Sequence, residues 1–138
     1  MFHERLEKTL QAIYGLAKTG QHEYITVEHL LMVLLDDAVS VEALKACKKR
    51  IPVKKMKTQL AAYLKKYVPK LPKKSFIEAR PDIDFQTVLQ RAIFQAQAAS
   101  ETHVLSAHFL YALFHAHKSY AVSLLTGQNI TRLSVLSA

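Results

Sequence analysis

A chain of 138 residues, 50% of them hydrophobic, is long enough for one hydrophobic core and too apolar for intrinsic disorder. Its longest apolar run, from Leu30 to Leu35, is too short for a transmembrane helix, and a single cysteine, Cys47, excludes an intrachain disulfide. The net charge of +8 comes from one stretch, because eleven Lys and one Arg but no acidic residue lie between Ala43 and Ile77. We expect an intracellular protein, and one that is mainly helical, since glycines and prolines are few.

The first half of the chain predicts four helices. Apolar residues at steps of three and four predict helix 1 over 2–18, and Gly20 follows as its stop. Thr26 is the expected N-cap of helix 2. Helix 3 is predicted over 40–47 with Ser40 as its cap, and helix 4 over 52–66 with proline in its first turn.

The second half predicts four more helices after a connector. Three prolines and no sustained period mark residues 68–81 as a connector without regular structure. Asp82 is expected to open helix 5. The remaining boundaries are predicted from caps and stops: Ser106 for helix 6, Ser119 and Gly127 for helix 7, and Asn129 or Thr131 for helix 8.

An internal repeat links the two halves. Residues 26–34 (TVEHLLMVL) return as 106–114 (SAHFLYALF) at an offset of 80, and Leu6-x3-Leu10-Gln11 returns as Phe85-x3-Leu89-Gln90 at an offset of 79. Each copy is too short to bury much core alone, so the copies are expected to pack together. We therefore predict an all-α fold of eight helices in a single domain, 1–138. Its pseudo-twofold repeats would be 1–67 and 82–138, joined by a linker at 68–81.

Three segments carry a resemblance to a known family. Residues 22–31 (HEYITVEHLL), 85–92 (FQTVLQRA) and 68–72 (VPKLP) resemble the N-terminal domain of Clp/Hsp100 unfoldases, and most of all the ClpA branch. The resemblance implies a non-catalytic interaction module that docks the ClpS adaptor and receives unfolded or N-degron substrates. The parent ATPase ring would then unfold these substrates for the ClpP protease in the bacterial cytoplasm. No G-x-x-x-x-G-K-[ST] loop occurs in these 138 residues, so the ATPase itself is absent from them.

The resemblance also implies which residues bind the adaptor. Glu23 and Glu28 match the two acidic positions through which ClpA-type domains hold ClpS, and His22 and Tyr24 lie beside Glu23. Glu28 falls in the first turn of helix 2, where the helix dipole favours a carboxylate, so it could instead merely stabilise that helix. We expect the double substitution Glu23→Ala/Glu28→Ala to remove adaptor affinity and to leave stability almost unchanged.

The start of helix 5 is expected to complete the adaptor site. Asp82 stands where family members often have Thr, and Thr87 stands where ClpA commonly has Arg. Both departures lie where the adaptor should touch. Phosphoarginine binding, known from the related ClpC branch, is disfavoured because its second glutamate position holds His108 here.

Other functions are less well supported by the sequence. The alternative to an adaptor module is a basic helical domain that binds nucleic acid or an anionic surface through the segment from Lys45 to Lys74. The motif at 22–26 lacks the final histidine of a zinc protease, and the other histidines have no standard ligand spacing. No nucleophile–base set stands out either. We therefore expect no cofactor, no metal and no catalysis, and an isolated domain that is monomeric.

Overall fold

The computed structural model describes residues 4–72, 77–98 and 106–137, and eight helices and two short strands account for most of them. This confirms the predicted eight-helix fold. The predicted helix start at Phe2, and Lys73 and Lys74 of the basic segment, lie outside the described residues. In chain order the elements are α1 (Glu4–Thr19), β1 (Tyr24–Ile25), α2 (Val27–Leu34), α3 (Ala38–Cys47), α4 (Val53–Tyr67), β2 (Arg80–Pro81), α5 (Ile83–Ala98), α6 (Ser106–Leu113), α7 (Tyr120–Gly127) and α8 (Arg132–Ser137).

α1 ends at Thr19, so Gly20 follows the helix as predicted, but Gly20 is not the residue in the left-handed conformation. The left-handed conformation belongs to Gln21, with φ of 56°, and not to Gly20. Gly20 is required for another reason, since a Cβ there would lie 2.4 Å from Cε1 of the His22 ring. The glycine therefore makes room for a buried side chain instead of supplying a turn conformation.

The beginning of α3 also corrects the prediction. Asp37 caps the helix, which starts at Ala38, and both the backbone N–H and the hydroxyl of Ser40 donate to Oδ2 of Asp37, at 3.0 and 2.8 Å. Ser40 is thus the third residue of the helix and not its cap. The expected cap of α7 is confirmed, because Ser119 Oγ accepts the N–H of Val122 at 3.2 Å. The side chain of Ser106 lies outside the described residues.

A two-stranded parallel sheet joins the connector to the first repeat. β1 pairs with β2 in the register Tyr24 with Arg80 and Ile25 with Pro81. Periodicity could not reveal strands of two residues, one of which is a proline, so the connector was predicted to be irregular. Because each strand leads directly into a helix, the parallel pairing sets the N-termini of α2 and α5 side by side.

One hydrophobic core contains residues of both repeats. Leu30 of α2 and Leu110 of α6, which occupy matching positions of the repeat, are both fully buried in it. α1 packs against α2 as α5 packs against α6, and α2 also contacts α5, α6 and α7. None of the helices in the described part of the chain is both long and apolar enough to cross a bilayer.

Candidate partner-binding site

Three helix N-termini converge on one pocket. Thr26 caps α2, Ser119 caps α7, and Asp82 caps α5 by accepting the N–H of Phe85 at 2.8 Å. Between them lies a pocket of about 350 Å³, which we call the cap pocket. It is lined by Tyr24, Thr26, Val27, Glu28, Tyr63, Tyr67, Val68, Pro69, Asp82, Asp84, Lys118 and Ser119. The structure thus brings together Tyr24, Glu28 and Asp82 of the expected adaptor site.

Glu28 lies at the inner wall of this pocket and ties the two repeats together. Its side chain is 5% exposed, and its Oε2 accepts the N–H of Ala121, 93 residues further along the chain, at 3.0 Å. Burial raises the pKa of Glu28, although the hydrogen bond from Ala121 opposes this shift. The structure argues against the prediction that Glu28 can be removed without loss of stability, because its carboxylate accepts an N–H of the first turn of α7.

The remaining carboxylates make the pocket acidic. Asp82 is half-buried, and burial raises its pKa against the hydrogen bond from Phe85. Asp84 is exposed at the pocket mouth. Together with Glu28 these groups place three carboxyl side chains around a space lined by a single basic residue, Lys118. A cationic side chain of a partner would be attracted to this space.

Tyrosines of α4 form the opposite wall, and the sequence analysis did not identify them. Tyr63 stacks on Tyr120 with ring centroids 4.5 Å apart and planes 2° apart, and Tyr67 lies 4.9 Å from Tyr63. Tyr67 is 60% exposed. Tyr63 and Tyr67 are one helical turn apart at the end of α4, and this spacing was the available signal. Aromatic faces beside carboxylates further favour a cationic ligand.

Glu23 and Thr87 lie outside the cap pocket. Glu23 is half-buried and lines a neighbouring groove together with Lys70 and Arg80, so it is not part of one acidic spot with Glu28. Its backbone is fixed on both sides, since its N–H donates to Pro69 and its carbonyl accepts the N–H of Arg80. Thr87 is exposed on α5, beyond the residues that line the pocket.

His22 does not present its ring to a partner, because it is 7% exposed and hydrogen-bonded inside the fold. His29 Nδ1 accepts the N–H of Thr26 at 3.0 Å, so neutral His29 carries its proton on Nε2. That Nε2–H lies 2.9 Å from His22 Nδ1 and donates to it. With Thr26 accepting the N–H of His29, the two residues form a capping box, and His22 braces its outer side.

The buried histidine pair predicts a loss of stability in acid. Burial, and secondarily the nearby His22, lowers the pKa of His29 to about 4, whereas an unfolded histidine titrates near 6.5. The unfolded chain therefore binds more protons between these values. The stability present above pH 6.5 is lost as the pH falls through 4, by about 3 kcal/mol for this group.

Urea unfolding followed by circular dichroism across this pH range tests the prediction. The variant His29→Gln keeps an acceptor for the N–H of Thr26. Its free energy of unfolding should depend less steeply on pH, because unfolding would take up fewer protons, by up to about one. The raised pKa values of Glu28 and Asp82 act with the opposite sign, but they are common to both proteins. His117→Gln, at an exposed position, is the control and should follow the parent. Parallel curves for parent and His29→Gln would show that His29 does not titrate as described.

The described side chains of the cap pocket offer a binding surface. Among them no group of three or more His, Cys, Asp and Glu could hold a metal ion. Cys47 is half-buried and packs against the core. The arrangement can hold a basic side chain between carboxylates and aromatic rings.

Comparison with known proteins establishes the family. The family model described as the Clp repeat (R) N-terminal domain matches residues 1–128. The chain belongs to the Clp N-terminal domain family. This domain comprises two repeats and is a non-catalytic accessory module of Clp/Hsp100 ATPases that binds substrates and adaptors. The recognition made from residues 22–31, 68–72 and 85–92 is confirmed.

One relative is similar in sequence, and two solved structures are similar in fold. A ClpA homolog protein of Fuscovulum blasticum is 31% identical over 137 residues, which are 99% of this chain and 17% of that protein. The Hsp104 N-terminal domain from Candida albicans superposes with a TM-score of 0.75 at 19% identity, covering 99% of this chain and 87% of the other. A ClpV N-domain solved in complex with a VipB peptide gives a TM-score of 0.72 at 19% identity, with 97% and 81% covered. The Clp N-domain thus spans about a sixth of the curated relative.

Proposed function

We propose that this Clp N-domain docks the ClpS adaptor through the surface around the cap pocket, and so delivers N-degron and unfolded substrates to a ClpA-type ATPase and ClpP in the bacterial cytoplasm. The observation that carries the proposal is the convergence of three carboxyl side chains and exposed tyrosine at the N-termini of α2, α5 and α7. The single domain 1–138, with repeats 1–67 and 82–138 about the linker 68–81, would act as one rigid docking body.

Some residues of this surface would contact the adaptor, and others would hold the helices of the surface in place. Four residues of the predicted adaptor site are at least partly exposed and could contact ClpS: Glu23, Tyr24, Asp82 and Thr87. We add Asp84 and Tyr67 to the proposed contact residues, because both line the pocket and are exposed. His22 and Glu28 serve from within, the first by bracing the α2 cap and the second by holding α7. A Lys or His side chain of the adaptor would enter between the carboxylates.

The ClpV N-domain with a VipB peptide provides limited support from another family member, because it shows that a domain of this fold can hold a peptide. At 19% identity the likeness is one of fold. The acidic and aromatic chemistry of the cap pocket is therefore the main support for a basic adaptor side chain as ligand.

Calorimetric titration with the ClpS adaptor from the same genome tests the proposal. The variant Glu23→Gln/Asp84→Asn removes two negative charges from the docking surface without changing side-chain size. We expect its affinity for ClpS to be at least about tenfold weaker than that of the parent, as expected for the loss of interfacial charge pairs.

Glu7→Gln/Glu42→Gln is the matched control, because it removes two exposed carboxylates from α1 and α3 and changes the net charge equally. Its affinity for ClpS should stay within about twofold of the parent's. Equal affinities of the two double variants for ClpS would show that the adaptor binds elsewhere on the domain. No binding by the parent would refute ClpS as the partner.

A further inference from the structure

The basic residues of α3, of the loop after it and of α4 lie outside the cap pocket. Twelve Lys and Arg lie in residues 43–77 without an acidic residue, while the rest of the chain has seven basic and eleven acidic residues, a net charge of −4. The basic face comprises the described residues Lys45, Lys48, Lys49, Arg50, Lys54, Lys55, Lys65 and Lys66, all exposed except the partly exposed Lys48. The molecule thus separates its charges onto different regions.

The outer side of α4 presents two pairs of lysines. Lys54 and Lys55 begin the helix, and Lys65 and Lys66 end it, eleven residues or about 16 Å further along the same side. Thr58, Ala61 and Ala62 lie between the pairs, exposed and small. A partner chain could therefore approach the helix backbone closely while both lysine pairs reach around it.

These lysines lack the acidic neighbours that an exposed helix usually provides. α4 has no acidic residue in its sequence, so none of its lysines has a Glu or Asp one turn away. An ion pair joins Lys57 to Asp36 and does not involve either lysine pair. The mutual repulsion of the basic face would be relieved by a partner that brings carboxylates or phosphates.

The chemistry of the face favours an acidic polypeptide over the other anionic partners. A nucleic acid would favour arginine, which forks onto phosphates, yet eleven of the twelve basic residues in 43–77 are lysines. A membrane surface would be met by large apolar side chains beside the charges, but the lysine pairs flank Thr58, Ala61 and Ala62. Carboxylate side chains on an extended or helical segment can pair with the lysines, and they need neither arginines nor large apolar side chains beside them.

We propose that the outer side of α4, with the basic residues that precede it, is a second docking surface that binds acidic segments of protein partners. This second surface is distinct from the proposed adaptor site, because its residues are different and its charge is positive where that of the cap pocket is negative. A module that receives many proteins would thereby attract acidic segments at long range, and this attraction would weaken as salt shortens the Debye length.

A fluorescein-labelled peptide of alternating Glu and Ser is the probe, and its anisotropy is followed as the Clp N-domain is added. We expect binding at an ionic strength of about 0.01 M that falls steeply toward about 0.15 M. The variant Lys54→Glu/Lys65→Glu should bind the peptide at least about tenfold more weakly. Lys8→Glu/Lys18→Glu on α1 has the same net charge and should stay within about twofold of the parent.

Three results would overturn the proposal. Equal losses in the two variants would mean that net charge alone attracts the peptide. Tighter binding of a mixed-sequence DNA duplex than of the acidic peptide would assign the face to nucleic acid, and tighter binding to phosphatidylserine vesicles would assign it to lipid. Because Glu23 and Asp84 play no part here, the outcome is separate from that of the adaptor titration.

Discussion

Replacing Leu30 or Leu110 by alanine should each lower the free energy of unfolding by about 2–5 kcal/mol. Both side chains are fully buried, at matching positions of α2 and α6, and both belong to the core that the two repeats share. Each substitution would remove buried methyl groups and leave a cavity between helices of different repeats. Urea denaturation followed by circular dichroism gives the free energy directly.

Leu133→Ala is the matched control, because Leu133 of α8 is 71% exposed. The same chemical change there should alter stability by less than about 0.5 kcal/mol. A near-zero effect at Leu30 or Leu110 would contradict the register in which residues 26–34 match residues 106–114. Similar losses at both positions would support the interpretation that the two copies play equivalent parts in the core.

Glu28→Ala should destabilise the Clp N-domain by about 2–3 kcal/mol, even though the residue belongs to the expected adaptor site. The substitution would leave the N–H of Ala121 buried without its acceptor, and it would detach the first turn of α7 from α2. Thermal or urea unfolding of the purified variant measures the loss. Adaptor binding by this variant should be measured only under conditions where it is folded.

Glu28→Gln separates the hydrogen bond from the charge. The amide oxygen can still accept from Ala121, so this variant should lose less than about half as much stability as Glu28→Ala. Glu42→Ala removes an exposed carboxylate and should change stability by less than about 0.5 kcal/mol. If Glu28→Ala were as stable as the parent, Glu28 would have no structural role, and contact with the adaptor would be its only expected role.

The sequence predicted the fold well because the repeat and the helical periodicity are strong local signals. The predicted caps were correct at Thr26, Asp82 and Ser119. A side-chain oxygen just before a helical apolar run can accept an otherwise unpaired N–H of the first turn, which makes it a strong signal. The misplaced cap of α3 shows the limit of this signal. Asp37 and Ser40 are both good caps, and the structure uses the first while Ser40 bonds back to it.

The site was harder to predict, because its geometry depends on contacts between distant segments. The β1–β2 pairing places Asp82 beside Thr26, and neither short strand has a pattern that a sequence could reveal. The burial of Glu28 depends on Ala121, and that of His22 on His29 and Gly20. A residue one turn from a helix start looks the same in the sequence whether it faces a partner or another helix.

The charge distribution gives the two proposed surfaces different partners. The cap pocket offers carboxylates and tyrosines to a basic side chain, whereas the outer side of α4 offers lysines to an acidic segment. They adjoin at the end of α4, where Lys66 lies 5.3 Å from the ring of Tyr67, and Tyr67 lines the cap pocket. A single partner with neighbouring basic and acidic parts could therefore engage both surfaces.

The most direct test of the docking surface is an amide chemical-shift map of the ¹⁵N-labelled Clp N-domain during titration with ClpS. We expect the largest changes at residues 23–28, 82–87 and 118–121, around the three helix N-termini. Changes confined to α3 and α8, or to the lysines of α4, would contradict the cap pocket as the adaptor site.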